Sequence, residues 1–123
     1  MDTQRFIAIV DDDEDVRLAI LHLVRSFGWN ACVFGSGEDF LCSGQVEKTS
    51  CLITDVRMPG MSGIEMHDRV LALGYAPPTI FITAYPTANL RAKVNSKGVL
   101  AFLPKPLDAD DIEHWISLAL GDP

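Results

Sequence analysis

Apolar and polar positions follow two alternating periods along this chain. Five short apolar runs, FIAIV (6–10), NACVF (30–34), CLIT (51–54), TIFIT (79–83) and VLAFL (99–103), are bounded by polar or turn residues and fit strands of four to six residues. All but one lack clean polar alternation, the pattern of strands buried on both faces of a parallel sheet. Between them the period lengthens. Over residues 13–27, Val16, Ala19, Ile20, Leu23, Val24 and Phe27 follow i, i+3, i+4, i+7 spacing, and Gly28 is placed to end that helix. SGEDFLCSG predicts a short helix with Ser36 as N-cap and Asp39 in a capping-box-like position. GIEMHDRVLALG predicts a third helix, with Ile64, Val70, Leu71 and Leu73 as its apolar set before Gly74. Residues 87–96 carry only Leu90 and Val94 as large aliphatics, so a weakly anchored fourth helix is expected. In DADDIEHWISLAL, acids cap the start while Ile112, Trp115, Ile116 and Leu120 take core spacing before Gly121.

The resulting order, βαβαβαβαβα, predicts an α/β fold: a parallel sheet with helices on both faces, joined by right-handed crossovers. In such sheets sites form outside the carboxyl ends of the strands, beside the topological switch point. Those ends hold Asp11 and Asp12 after the first strand, Asp55 after the third, Thr83 on the fourth and Lys105 just past the fifth.

Composition narrows the options. With 123 residues and 48% hydrophobic content the chain is sized for one domain, residues 1–123. A net charge of −7 and the lack of clustered Lys and Arg argue against direct nucleic-acid binding. No apolar stretch of about 18 residues and no signal-peptide pattern is present, so a soluble, cytoplasmic chain without a membrane span is expected. Cys32, Cys42 and Cys51 form no CxxC pair and leave an odd count, which predicts reduced, mostly buried thiols.

The sharpest local feature is IVDDDEDV (9–16), with five adjacent acids. Like charges about 4 Å apart repel by roughly 4 kcal/mol near a protein surface, so a cation, helix-end amides or solvent must relieve them. Asp13, Glu14 and Asp15 are explained by the cap and first turn of the helix that follows. Asp11 and Asp12 precede the cap, and with Asp55 they form a carboxylate set suited to Mg²⁺. A carboxylate can also act as a nucleophile toward phosphorus. Phosphoryl transfer needs positioning and charge neutralisation, which a metal, Lys105 and the Thr83 hydroxyl are equipped to supply.

VDDD, DVRMPGMSG, ITAY and FLPKP, in this order and spacing, resemble the receiver domain of two-component response regulators, from Phe6 to about Leu120. The DVRMPGMSG loop most resembles receivers of FixJ-type transcription regulators. The resemblance implies a flavodoxin-like three-layer sandwich with strand order 2-1-3-4-5. It implies that Asp55 accepts a phosphoryl group from a sensor histidine kinase, with Mg²⁺ held by Asp11, Asp12, Asp55 and the backbone carbonyl of Arg57. Thr83 and Phe102 match the switch residues, Lys105 the phosphoryl-pairing lysine, and Lys105 and Pro106 a recurrent cis peptide. Arg57 and Tyr85 match positions that tune phosphate lifetime. An output surface on the fourth helix, fifth strand and fifth helix is implied, serving an effector domain or a phosphorylation-dependent homodimer. Phe102 lacks the hydroxyl that some relatives carry there, and AYPTANLRAKVNSKG is an unusual fourth-helix region.

The resemblance implies a signalling phosphoacceptor and not an enzyme with turnover, with self-phosphorylation and autodephosphorylation as its only expected reactions. The rival readings are a phosphorylation-independent interaction module on the same fold and a haloacid-dehalogenase-like phosphatase using DxDxDV. The latter leaves DVRMPG and LPKP unexplained. A calcium loop fails because Val16 and His22 occupy the positions that need Gly and Glu. Division of the acidic run into two jobs has a direct test: Asp11→Asn or Asp12→Asn is expected to weaken Mg²⁺ binding in calorimetric titration, and Asp15→Asn to leave it nearly unchanged.

Overall fold

The apolar runs form the strands of one sheet: β1 (Phe6–Val10), β2 (Asn30–Phe34), β3 (Thr49–Asp55), β4 (Thr79–Thr83) and β5 (Val99–Pro104). All pairs are parallel and the order is β2-β1-β3-β4-β5. The computed structural model describes residues 5–84, 87–88 and 98–123. The predicted fourth helix lies outside the described residues except for Thr87 and Ala88. The described helices are α1 (Glu14–Ser26), α2 (Gly37–Cys42), α3 (Gly63–Ala72) and a C-terminal helix (Ala109–Leu120). A single 3₁₀ turn spans Val46–Lys48.

Strand periodicity splits the core. In β1, Ile7 and Ile9 point to one face, where they meet Ile20 and Val24 of α1 and Ile112 and Ile116 of the C-terminal helix. Phe6, Ala8 and Val10 point to the other face, against Phe40 of α2 and Met66 and Val70 of α3. Every residue of β1 and β4 is buried, as runs without polar alternation require. β2 is an edge strand and only half-buried.

Helix ends follow local chemistry. Asp13 caps α1 by accepting the amides of Asp15 and Val16. Gly28 and Gly74 sit just beyond α1 and α3 with φ of 95° and 96°, a region that favours glycine. Ser36 accepts the Asp39 amide as expected, and a full reciprocal capping box stands at Ser62 and Glu65.

Several sequence expectations need correction. The inward stripe of α3 is Gly63, Met66, His67 and Val70, the helical spacing i, i+3, i+4, i+7; Leu73 is the C-cap and 58% exposed. Counting only aliphatic residues shifted the predicted face, because a glycine and a histidine occupy the true one. Ala19 is exposed, on a groove of about 510 Å³ that α1 forms with Lys105, Pro106 and Leu107. Cys32 and Cys42 are exposed and only Cys51 is buried, because Cys32 faces outward from the edge strand and Cys42 ends the short α2. Burial pushes the Cys51 thiol up to about 12, so it is an inert core residue.

His67 is fully buried beside Phe81, edge to face at 5.4 Å, with both ring nitrogens lacking a hydrogen-bond partner. Burial lowers its pKa from the ordinary 6.5, against a smaller opposing pull from Asp68. The folded state therefore resists a proton that the unfolded chain accepts. This contribution to stability is fully present above pH 6.5 and is lost as pH falls toward the folded-state pKa. His67→Leu is expected to raise the urea midpoint at pH 7.5 and to flatten its decline toward pH 5. An unchanged pH slope would contradict this account.

Candidate functional site

β1 starts in the middle of the sheet; the chain crosses outward to β2 and returns to β3 on the other side. The crevice between the carboxyl ends of β1 and β3 is the switch point, and Asp11 and Asp55 stand at its two sides.

Asp11 is fully buried. Its amide donates to the Phe34 carbonyl at 3.1 Å, and its Oδ1 accepts the Asp13 amide at 2.9 Å. Its Oδ2 is buried without a hydrogen-bond partner and faces Lys105 Nζ as an ion pair at 3.4 Å. Asp55, at the end of β3, is 6% exposed. Its Oδ1 accepts the Arg57 amide at 3.3 Å and its Oδ2 accepts Lys105 Nζ at 2.9 Å. Asp12 is exposed, yet one carboxylate oxygen each from Asp11, Asp12 and Asp55 lie within 4.8 Å of one another.

Lys105 reaches this cluster from just beyond β5. Its amide donates to the Thr83 carbonyl at 3.0 Å, and its peptide bond to Pro106 is cis. Thr83 is buried at the end of β4, one residue past the register partner of Asp55. Phe102 is half-buried and stacked on Phe81, with centroids 5.1 Å apart and planes at 18°. The Arg57 side chain is exposed in the loop after β3, and Tyr85 lies outside the described residues. The structure therefore gathers Asp11, Asp12, Asp55 and Lys105, sets Thr83 beside them through the β5 backbone, and keeps Phe102 in the apolar cluster under α3.

Electrostatics follow from crowding. Burial raises the Asp11 pKa and the Asp55 charge adds to the rise, against the Asp13 amide and Lys105. Burial acts to lower the Lys105 pKa, but the hydrogen bond to Asp55 and the charges of Asp11 and Asp55 outweigh it, so the ammonium is held above its ordinary range. Two buried carboxylates face one ammonium, and the exposed Asp12 stands close to both. An all-oxygen donor set with an orphaned buried carboxylate oxygen suits a hard divalent cation, and Mg²⁺ fits it.

Sequence reasoning missed Arg17. Its Nη1 donates to the Asp11 carbonyl at 2.9 Å while Nη2 lies 3.8 Å from Glu14 Oε2, so it braces the loop that carries the acids. The available signal was a lone cation one turn into a helix that opens with acids.

Comparison with known proteins adds a family. The profile of the response regulator receiver domain matches residues 7–117. The response regulator protein TmoT of Ectopseudomonas mendocina is 37% identical over 119 residues, 97% of this chain and 54% of that protein. The transcriptional regulatory protein FixJ of Bradyrhizobium diazoefficiens is 30% identical over 120 residues, 98% of this chain and 58% of that protein. This chain thus spans about half the length of these relatives. Among solved structures, the response regulator StyR is similar with a TM-score of 0.82 and 34% identity, over 95% of this chain and 59% of that one.

The buried charge of Asp11 has a cost in the metal-free chain that its partners only partly offset. Asp11→Asn removes that charge while Lys105 keeps its 2.9 Å bond to Asp55. In EDTA at neutral pH this variant is expected to melt several degrees higher, by the usual relation of about 4–8 °C per kcal/mol in small domains. A lower melting temperature would show that Asp11 is net stabilising without metal.

Proposed function

This chain belongs to the family of response regulator receiver domains of two-component systems, and we propose that it accepts a phosphoryl group on Asp55 from a sensor histidine kinase. The observation that carries this reading is the Asp55 carboxylate at the switch point, 2.9 Å from Lys105 Nζ and beside the orphaned oxygen of Asp11.

In the transfer, a carboxylate oxygen of Asp55 forms a bond to phosphorus as the bond from phosphorus to the donor imidazole nitrogen breaks. The leaving nitrogen keeps the electron pair. Lys105, already held as a cation by its neighbours, meets the charge on the phosphoryl oxygens, and the Thr83 hydroxyl is the donor at the end of the adjacent strand β4. Asp11, Asp12, Asp55 and the Arg57 backbone carbonyl would hold Mg²⁺, which when bound neutralises part of the phosphoryl charge. The Arg57 side chain, exposed beside Asp55, and Tyr85 are proposed to set how fast water regains access to the acyl phosphate.

The reading extends to output. Thr83 and Phe102 lie on adjacent strands, and Phe102 is the register partner of Phe81, two residues before Thr83. Attraction of Thr83 to the phosphoryl group would free space for Phe102 to rotate, altering the surface of the fourth helix, β5 and the C-terminal helix. A full shift from 1:99 to 99:1 takes about 5.5 kcal/mol, within reach of several charge-assisted hydrogen bonds. The altered surface would serve a second copy of the chain or an effector domain of the kind that FixJ-like transcription regulators carry, in the cytoplasm where kinase output domains lie. Among the described residues, no helix is long and apolar enough to cross a membrane.

Incubation with acetyl phosphate and Mg²⁺ followed by intact-mass measurement tests the proposal. One added phosphoryl group is expected, absent in Asp55→Asn and in EDTA. No adduct under conditions that phosphorylate a control receiver would instead support a phosphorylation-independent interaction module.

A further inference from the structure

Two residues outside the acidic cluster grip the backbone of Asp55. Thr54 is fully buried, and its hydroxyl donates to the Asp55 carbonyl at 3.0 Å. Gly63 opens α3, is buried, and its amide donates to the Val56 carbonyl at 2.9 Å. A Cβ on Gly63 would collide with the Asp55 carbonyl oxygen and would stand 3.0 Å from both the Asp55 carbonyl carbon and Thr54 Oγ1. The obstruction on that side is main chain, which cannot swing away as a long side chain can. Hydrogen is the largest substituent the contact admits. The start of α3 therefore rests directly on the peptide that carries Asp55, and the loop between them is latched at both ends.

The consequence is directional. The Asp55 side chain is short, so the tilt of its own peptide decides where its oxygens stand relative to Lys105 and the Arg57 amide. The Val56 amide, bonded to the Ile82 carbonyl at 3.0 Å, fixes one side of that peptide; Thr54 and Gly63 fix the other. We infer that Thr54 and Gly63 are positioning residues for the Asp55 carboxylate, holding the main chain from which it is aimed at phosphorus. This rests on the reading of Asp55 as phosphoacceptor. A displacement of about 1 Å at a reacting atom is worth roughly 100-fold in rate, which gives the latch its leverage.

The test uses Thr54→Val, Thr54→Ser and Gly63→Ala in the whole chain. Three quantities are read: the phosphorylation rate at saturating acetyl phosphate with its apparent KM, the melting temperature, and the carbon-13 shift of the Asp55 carboxylate in the metal-free, donor-free chain. Thr54→Val is expected to slow phosphorylation about 3- to 10-fold, the range set by one neutral hydrogen bond, with KM unchanged and the Asp55 resonance moved. Thr54→Ser is expected to restore both, and Gly63→Ala to slow phosphorylation about 100-fold. If Gly63→Ala does not fold, the Val and Ser variants decide the matter. An unmoved Asp55 resonance in Thr54→Val, or loss of rate that follows melting temperature with no rescue by Ser, overturns the inference. Absence of phosphorylation in the unaltered chain defeats the phosphoacceptor reading instead, and the carbon-13 shifts then decide the positioning role alone.

Discussion

Two buried carboxylates, Asp11 and Asp55, converge on the Lys105 ammonium at the carboxyl edge of the sheet with the exposed Asp12 beside them, and much of the surrounding structure holds that imbalance in place. Two like charges at about 4 Å cost roughly 4 kcal/mol at an effective dielectric of 20, a large fraction of the stability of a small domain. The relief is local and specific. The Asp13 amide binds one oxygen of Asp11, the Arg57 amide one of Asp55, and Lys105 stands between the two acids. What remains is one buried oxygen of Asp11 that no hydrogen bond satisfies. In a folded protein such an atom marks a place where stability has been given up, and here it belongs to the group of three carboxylates that, among the described residues, could hold a hard cation.

Containment of that strain depends on two dry layers. Strands β1, β3 and β4, buried along all or nearly all of their length, carry Asp11, Asp55 and Thr83 at or just past their ends, and their side chains alternate between the α1 side and the α3 side of the sheet. A rigid strand end fixes a short side chain more closely than a loop can. Asp55 and Thr83 gain that rigidity directly, and Asp11 gains it through the hydrogen bond that its N–H donates to the Phe34 carbonyl on β2. The edge strand β2 is half-exposed and still serves the site, because its last carbonyl anchors the loop that carries the acids.

Much of this was legible in the sequence, for identifiable physical reasons. Strand positions follow from unbroken apolar runs, and the site from the rule that places it at strand ends; neither needs three-dimensional knowledge of side chains. The helix faces were less legible. In α3 the inward stripe includes Gly63 and His67, residues whose burial comes from close packing and a desolvated ring, so a search for aliphatic spacing selected Leu73, which is exposed. The thiols of Cys32 and Cys42 are exposed because edge position and helix length, both tertiary facts, outweigh the tendency of cysteine to be buried. The strand order was implied by resemblance to receivers and not by the pattern, since alternating strands and helices are compatible with other orders. Arg17, Thr54 and Gly63 act through main-chain carbonyls, and contacts of that kind leave no periodic signature.

The same register that builds the site also connects it to the aromatic stack. Thr83 and Lys105 are joined by a main-chain hydrogen bond, and two and three residues back along the same two strands Phe81 and Phe102 lie face to face. In the proposed phosphorylated state the phosphoryl group would add charge to a site already crowded with carboxylates, which Mg²⁺ would offset in part and which the Lys105 ammonium and the Thr83 hydroxyl would meet from the chain itself. Thr83 ends β4 and Lys105 follows β5, so both are continuous in the chain with the Phe81–Phe102 stack. His67, buried without partners against Phe81, makes that packing less stable than an all-aliphatic cluster of similar volume would be. An element that must change partners with a few kcal/mol of driving force needs a resting arrangement that is not too deep. The unsatisfied imidazole and the buried Asp11 oxygen thus mark two costs on one sheet: an electrostatic cost at the strand ends, where a divalent cation would relieve it, and a packing cost beside the aromatic stack that the proposed switch would rearrange.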